Sequence, residues 1–429
     1  MRKDLSAILA VVTGTAGAQI ITLAFTPLLT RIFTPEAFGH LGVFVALSTI
    51  LMPIAALTLP IAVVLTKSNN EAKALSKLST CIALLACLIF TLFIVLNKPW
   101  LVNVLNAQGD GMYLYWVPAV VLFGAMLQLS ENWSIKLSLF KLRAKISILH
   151  ALIINLLKLG VGFFIPYAIT LIVIAIVNPL INALLLGLPV KNAIKNETEN
   201  LPNNDYRQLL ARYRNFPLFQ SPQALLNALS QSAPVVILAA LFGPVSAGFY
   251  TFSRTILAIP ITLIGKAVGD VCYGRFSKQV NLQQFAQAKK YFVHTTFYLS
   301  VVALLPLGII WFFGPALFSL VFGEKWFEAG VYAQWLSLWT YFILINAPSL
   351  KLLIVLKKQK QSLLINIISM PVRIAMLILG GHYGNDEWLA LKLFVLASVI
   401  HNLVIIALAY ISCEQKNKNS NNRAINYDS

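Results

Sequence analysis

Apolar residues in this chain run in long blocks, too long for a strand and too continuous for one amphipathic stripe. About twelve blocks are separated by short polar stretches, near residues 8–31, 39–66, 78–97, 112–134, 146–165, 169–190, 217–243, 245–271, 292–314, 329–356, 361–381 and 388–412. A helix that crosses a bilayer needs roughly 20 predominantly apolar residues. The pattern therefore predicts an all-α integral membrane protein with about 12 transmembrane helices. Met1-Arg2-Lys3-Asp4 precedes an apolar run longer than a signal-peptide core, so the first block reads as a retained helix.

The longest polar connection, Lys191 to about Asn215, divides the blocks into six and six. This predicts an N-terminal six-helix bundle (1–190), a cytoplasmic linker (191–216), a C-terminal six-helix bundle (217–412) and a disordered cytoplasmic tail (413–429) rich in Asn, Ser and Lys. The halves echo one another. Pro35-Glu36-Ala37-Phe38-Gly39 follows the first block, and Pro244-Val245-Ser246-Ala247-Gly248 follows the seventh. Each opens a block with a further proline, Pro53 or Pro260. Paired repeats with kinked helices are a frequent transporter design, and prolines at 27, 118, 234, 306, 348 and 371 also fall inside blocks, as kinks for movement or for static packing.

Composition agrees with a bilayer. Hydrophobic residues make up 58% of the 429 and charged residues only 11%, with a mean hydropathy of +0.77. The formal charge of +18 would suggest nucleic acid if it were clustered on a soluble face. It is not clustered. Of 33 basic residues, 24 fall at the N-terminus, in alternate loops and in the tail. The other loops hold only Arg31, Lys98 and Lys325. The positive-inside rule then places both termini in the cytoplasm, with anionic membrane lipids as contacts and no nucleic-acid partner.

Six basic residues remain inside blocks: Lys158, Arg254, Lys266, Lys351, Arg373 and Lys392. The acids there are Glu131 and Asp270. A charge at mid-helix costs about 2.5–3.5 kcal/mol on insertion scales, so each is a candidate for a wet cavity or a partner. Lys266 and Asp270, four apart, read as an intrahelical pair, and Lys351 and Lys392 are near enough to block ends to snorkel. Arg254, Arg373 and Lys158 lie deeper. The excess of cations suits an anionic ligand, and arginine's forked donors match phosphate oxygens.

Seven of eight tryptophans map to the expected outer half. An interfacial belt accounts for them; Trp335 and Trp339, four apart on one helix face, are alternatively candidates for stacking on sugar. No catalytic residues are assigned. His382 and Asp386 have an acyl-transfer spacing that is a chance pattern in a short loop, and no phosphate-binding glycine loop or nucleophile elbow occurs. Cys81, Cys87, Cys272 and Cys413, and the histidines, lack metal spacing, so no metal or cofactor is expected. Energy coupling, if any, would come from H+ or Na+, membrane potential or substrate flux. Asn196-Glu197-Thr198 is a sequon without meaning in a cytoplasmic loop.

Several motifs resemble one known family. Gly14-Thr15-Ala16-Gly17-Ala18-Gln19, Pro27-Leu28-Leu29-Thr30-Arg31 and Thr34 to Gly39 resemble the opening of bacterial polysaccharide (O-antigen or capsule) flippases of the multidrug/oligosaccharidyl-lipid/polysaccharide exporter superfamily. Tyr213-Arg214-Asn215-Phe216-Pro217, Leu225 to Gln231, and Ala247-Gly248-Phe249-Tyr250 leading to Pro260 are similar to that family's seventh and eighth spans. The resemblance implies two six-helix bundles around a central cationic cavity in the bacterial inner membrane. It implies alternating access that carries undecaprenyl-diphosphate-linked oligosaccharide to the periplasmic leaflet, with a polysaccharide polymerase and chain-length regulator as partners. Arg254, Arg373, Lys158, Lys351 and Arg31 are then the candidate headgroup ligands. A drug/cation antiporter of the same superfamily would want unpaired intramembrane carboxylates. A polymerase or acyltransferase would want a sizeable external loop. Neither feature is present.

Overall fold

The structure is a computed structural model that describes residues 2–104, 109–195, 206–384 and 386–425, with side chains for 13–104, 111–194, 206–384 and 386–418. Among the described residues all regular structure is helical. In chain order the α-helices are α1 (Arg2–Ile32), α2 (Pro35–Ala55), α3 (Leu59–Ala62), α4 (Asn69–Leu96), α5 (Lys98–Val104), α6 (Val117–Lys136), α7 (Phe140–Phe164), α8 (Ala168–Lys195), α9 (Tyr206–Arg212), α10 (Ser221–Phe242), α11 (Pro244–Pro260), α12 (Lys266–Asn281), α13 (Phe285–Phe322), α14 (Phe327–Ile345), α15 (Ala347–Val355), α16 (Gln359–Gly384) and α17 (Glu387–Ile425). The sequon at 196–198 lies outside the described residues.

Eleven stretches among the described residues are long and apolar enough to cross a membrane, and they match the second to twelfth expected blocks one for one. The first block is α1, whose 31 residues exceed the span length. Local signals set the ends. Thr34 caps α2 by accepting from the Ala37 amide at 3.3 Å, and Pro35 occupies the first turn, where a missing N–H costs nothing. Ser68 caps α4 by accepting from the Glu71 amide at 3.1 Å. Gly243 and Gly323, with φ of 88° and 103°, end α10 and α13 in a conformation that only glycine adopts freely. Asp386 accepts from the Trp388 amide at 2.9 Å and starts α17. That capping role accounts for Asp386 without any catalytic partner.

The second block, expected as one span over 39–66, is broken. Leu57 and Thr58 have φ of 49° and 53°, and a short α3 restarts the chain before Thr66. Pro53 and Pro60 flank the break and withhold amide donors there. Ser221 on α10 satisfies the Pro53 carbonyl by donating to it at 2.7 Å. In the eighth block, Pro260 instead leads into a wide turn over Ile261–Gly265 that rejoins α12 without a break.

The chain forms two compact units, Met1–Gly248 and Phe249–Ser429. The first takes in α10, whereas the sequence divides the chain at 216/217. The cause is local. The two Pro-x-x-x-Gly motifs meet reciprocally within this unit: a Cβ on Gly39 would fall on the Pro244 carbonyl, and one on Gly248 would fall on the Pro35 carbonyl. Elsewhere in the unit α1 and α7 run parallel, with Gly14 against Ala144 and Gly162 against Phe33. The end of the linker is docked rather than free. Glu71 accepts from Arg212 at 2.6 Å and from the Tyr213 hydroxyl at 3.2 Å, which ties α9 to α4. Burial, and then the Glu71 carboxylate, push the Tyr213 phenol above its usual pKa.

In the second unit Gly314 and Gly330 bring α13 against α14, and Gly380 lies against Ala390 where α16 meets α17. Ser253 on α11 donates to the Ala329 carbonyl of α14 at 2.6 Å. The tail expected to be disordered from 413 instead continues α17 to Ile425. Glu414 stabilises that extension, with Lys418 at 3.5 Å one turn on and Lys289 of α13 at 3.7 Å.

Candidate functional site

The second unit gathers charged and aromatic side chains at the middle of its helices. Tyr250 and Arg254 are four apart on α11, which places them on one face. Arg373 lies 11 residues from the end of α16 at Gly384, about 16 Å along the axis. Its side chain is only 8% exposed, and its Nε donates to the Ser369 carbonyl at 3.4 Å. The fully buried Tyr250 phenol is within electrostatic reach of both guanidinium groups and faces Arg254 without a well-formed hydrogen bond. Tyr250 is thus an electrostatic neighbour of both arginines.

Aromatic rings wall this cluster. Arg254 stands over the Trp339 ring of α14, 5.6 Å from its centroid. Phe394 of α17 packs edge-on against Trp339 at 5.3 Å and against Tyr250 at 6.4 Å. His401, two turns further along α17, is within electrostatic reach of Arg373, and its buried Nδ1 has no hydrogen-bond partner among the described residues. Holding two guanidinium groups at mid-span costs several kcal/mol on insertion scales, and the cation–π contact at Arg254 offsets about 0.5–2 kcal/mol of it. The fork of donors on each suits a phosphate or diphosphate.

The other residues singled out by sequence do not join this cluster within their own units. Lys351 donates to Asp270 at 3.2 Å, and its stem lies beside Gly269, where no side chain obstructs it. Asp270 therefore pairs across to α15, not with Lys266 on its own helix as expected. Glu131, the other acid inside a span, pairs with Arg143 at 3.1 Å. Trp335 is one turn from Trp339 but packs on Trp311 at 5.3 Å and lies under Lys392 at 5.0 Å. Trp339 is only 7% exposed, with Arg254 and Phe394 on its ring. The two tryptophans do not share one open face.

Two candidates belong to the first unit. Arg31 is exposed in the last turn of α1. Lys158 lies six residues from the end of α7, about 9 Å along the axis and nearer a helix end than expected. It makes no hydrogen bond or ion pair among the described residues and has His150 within electrostatic reach. Asn155, one turn away, donates to Thr22 at 3.2 Å and to the Ala151 carbonyl at 2.7 Å. Among the described residues no three His, Cys, Asp or Glu side chains gather around a metal-sized space.

Sequence reasoning passed over Tyr250, Phe394 and His401. Tyr250 was legible as the residue one turn before Arg254. Phe394 and His401 come from α17, and only tertiary packing brings them to the arginines.

A family model described as polysaccharide biosynthesis protein matches residues 28–330. No curated protein matches significantly. Among solved structures, an inward-facing multidrug resistance MATE family transporter of the MOP superfamily aligns with a TM-score of 0.69 at 13% identity, over 96% of this chain and 95% of that one. The lipid II flippase MurJ, in an inward closed conformation, aligns with a TM-score of 0.71 at 12% identity, over 96% of this chain and 90% of that one. A MOP superfamily transporter from Pyrococcus furiosus, described by the reverse polarity of its binding pocket, aligns with a TM-score of 0.60 at 13% identity over 96% and 95% of the two chains. Those likenesses establish the fold, and the family model covers well over half of the sequence: the chain belongs to the polysaccharide biosynthesis protein family and has the all-helical fold of MOP superfamily transporters.

Proposed function

We propose that this protein is a flippase that carries an undecaprenyl-diphosphate-linked oligosaccharide across the bacterial inner membrane for O-antigen or capsule synthesis. The observation that carries the reading is the presence of Arg254 and Arg373 at mid-span, both within electrostatic reach of the Tyr250 phenol, with Trp339 under Arg254 and Phe394 against Tyr250 and Trp339. A lipid-linked diphosphate has the charge and the oxygen geometry that two guanidinium forks recognise. Family membership and the likeness to a lipid II flippase support the same chemistry. The termini face the cytoplasm in this reading, and the periplasmic polymerase and chain-length regulator take over the product. Transport is coupled to a H+ or Na+ gradient or drawn forward by consumption of the product.

The multidrug neighbours raise a second reading, a drug/cation antiporter. Its requirement for free intramembrane carboxylates fits poorly with Glu131 and Asp270, which are both ion-paired. Reconstitution distinguishes the two. Proteoliposomes loaded with a labelled undecaprenyl-diphosphate oligosaccharide should expose the sugar to a membrane-impermeant glycosidase at a rate set by the protein, and Arg254→Ala and Arg373→Ala should each slow this at least tenfold. Equal rates in both variants at normal folded protein would sink the assignment. Export of an organic cation against an imposed H+ or Na+ gradient would favour the antiporter.

A further inference from the structure

We infer that the groove between the amino-terminal end of α13 and the carboxy-terminal part of α17 is a headgroup site for an anionic phospholipid of the surrounding leaflet. It is built by two helices of the second unit and does not depend on what is transported, so its failure would leave the flippase reading untouched.

The 38 residues of α13 run about 57 Å and so outreach a hydrocarbon core of about 30 Å. From Tyr291 to its end at Phe322 the helix has no Lys, Arg, Asp or Glu. Lys289, Lys290 and His294 therefore stand at the polar end, where headgroups begin. The largely apolar run of α17 likewise stops at Cys413, before Glu414. Cys413 Sγ reaches the Phe285 carbonyl at 3.8 Å, and Glu414 pairs with Lys289 at 3.7 Å. The two helices thus leave the apolar zone side by side. Next to these contacts they enclose a groove of about 570 Å³.

The groove is lined at its polar end by Lys289, Lys290 and His294 of α13 and by Tyr410 and Asn417 of α17. Its cations are not equivalent. Lys289 is engaged, with Glu414 beside it and its ammonium 4.6 Å from the centroid of the Tyr410 ring. Lys290 makes no hydrogen bond or ion pair among the described residues, and the His294 ring nitrogens make none there either. The Tyr298 ring packs edge-on against His294 at 4.4 Å and fixes its orientation. Lys290 and His294 are four apart and so neighbours on one helix face. An ammonium and an imidazole in that arrangement match a single phosphodiester, whose oxygens accept from both. Asn417 and Tyr410 add uncharged hydrogen-bonding groups for a hydroxylated headgroup. The Glu414 carboxylate beside Lys289 weighs against a more highly charged diphosphate. Val293, Phe297 and Val301, all exposed, continue the same face of α13 into the apolar zone. They give acyl chains a track that a free phosphate has no use for. Basic pockets between spanning helices are a known way of holding anionic headgroups.

Native mass spectrometry of the full-length protein in detergent, titrated with phosphatidylglycerol and separately with phosphatidylcholine, tests the assignment. One phosphatidylglycerol should bind at least fivefold more tightly than phosphatidylcholine. Lys290→Gln combined with His294→Gln should bring its affinity down to the phosphatidylcholine level. Both side chains are exposed, so the folded yield should not change. Lys358→Gln combined with Lys360→Gln removes charge from the connection into α16, away from the groove, and should alter binding less than twofold. Equal losses in the two double variants would mean that diffuse charge attracts the lipid, and would overturn the proposal. Equal affinity of the wild type for both lipids would overturn it too. Glycerol 3-phosphate, a headgroup without tails, should not displace the lipid; displacement at comparable concentration would reduce the groove to an anion site and sink the lipid assignment. Tighter binding of undecaprenyl diphosphate through Lys290 and His294 would make the groove an entry point for that lipid and reject the phospholipid.

Discussion

Each unit of the molecule buries cations inside its helices, and the two do so differently. In the second, Arg254 and Arg373 lie at mid-span, share Tyr250 as a neighbour and are enclosed by Trp339 and Phe394. In the first, Lys158 has no ion pair or hydrogen bond among the described residues and lies about two turns from a helix end. A lone flexible ammonium near a helix end can reach the interface with its head while its stem stays in lipid. Two planar guanidinium groups fixed at mid-depth have no such escape. The contrast separates a cation that the fold tolerates from cations that the fold positions.

The largest effect should come from removing both positioned charges. Arg254→Ala combined with Arg373→Ala should lower translocation at least 100-fold. Hydrogen bonds to charged groups contribute about 1.5–3 kcal/mol each, and two are lost. Reconstituted vesicles provide the assay, and less than a fivefold loss would remove the distinction between the units.

The first unit should respond instead in stability. Gly39→Val drives a side chain into the Pro244 carbonyl at the reciprocal proline–glycine contact. Overpacking of this kind costs about 1–3 kcal/mol. Thermal unfolding in detergent should show a lower midpoint and a smaller folded yield, whereas Lys158→Met should not. An unchanged midpoint for Gly39→Val would show that the contact yields easily.

Arg373→Lys sharpens the chemical side of the comparison. It keeps the charge and loses the fork, so translocation should fall about tenfold without loss of folded protein. Full activity would mean that only the charge matters at that position. The smallest effect is expected at Lys158. Lys158→Met replaces a lone ammonium near a helix end with an apolar chain of similar length. Translocation should stay within about threefold of wild type, and a larger loss would make Lys158 part of the ligand path after all.

Much of this was legible from hydrophobic blocks. Span length is a local property, so eleven of the expected spans recur as membrane-length apolar helices, and the first expected block falls on the helix α1. The break at Leu57 and Thr58 was hidden because a positive φ leaves no composition signature; the prolines at 53 and 60 hinted at it. Arg254 and Arg373 were legible because a mid-helix charge is costly. Their grouping with Phe394 and His401 was not, because it depends on how α17 packs. The motif echo at Pro35 and Pro244 was visible as similarity, but nothing in the sequence showed that the two copies would touch. The Asp270 pairing went to Lys351 rather than to Lys266 because Gly269 opens a path across helices that intrahelical spacing does not reveal.

The central claim is that the paired arginines of the second unit bind the diphosphate. Equilibrium binding of undecaprenyl diphosphate to purified protein tests it most directly, measured for the wild type, Arg254→Ala, Arg373→Ala and Lys158→Met. The account predicts at least tenfold weaker binding for each arginine variant and less than threefold change for the lysine variant. Equal affinity across all four proteins, or a loss confined to Lys158→Met, would contradict it.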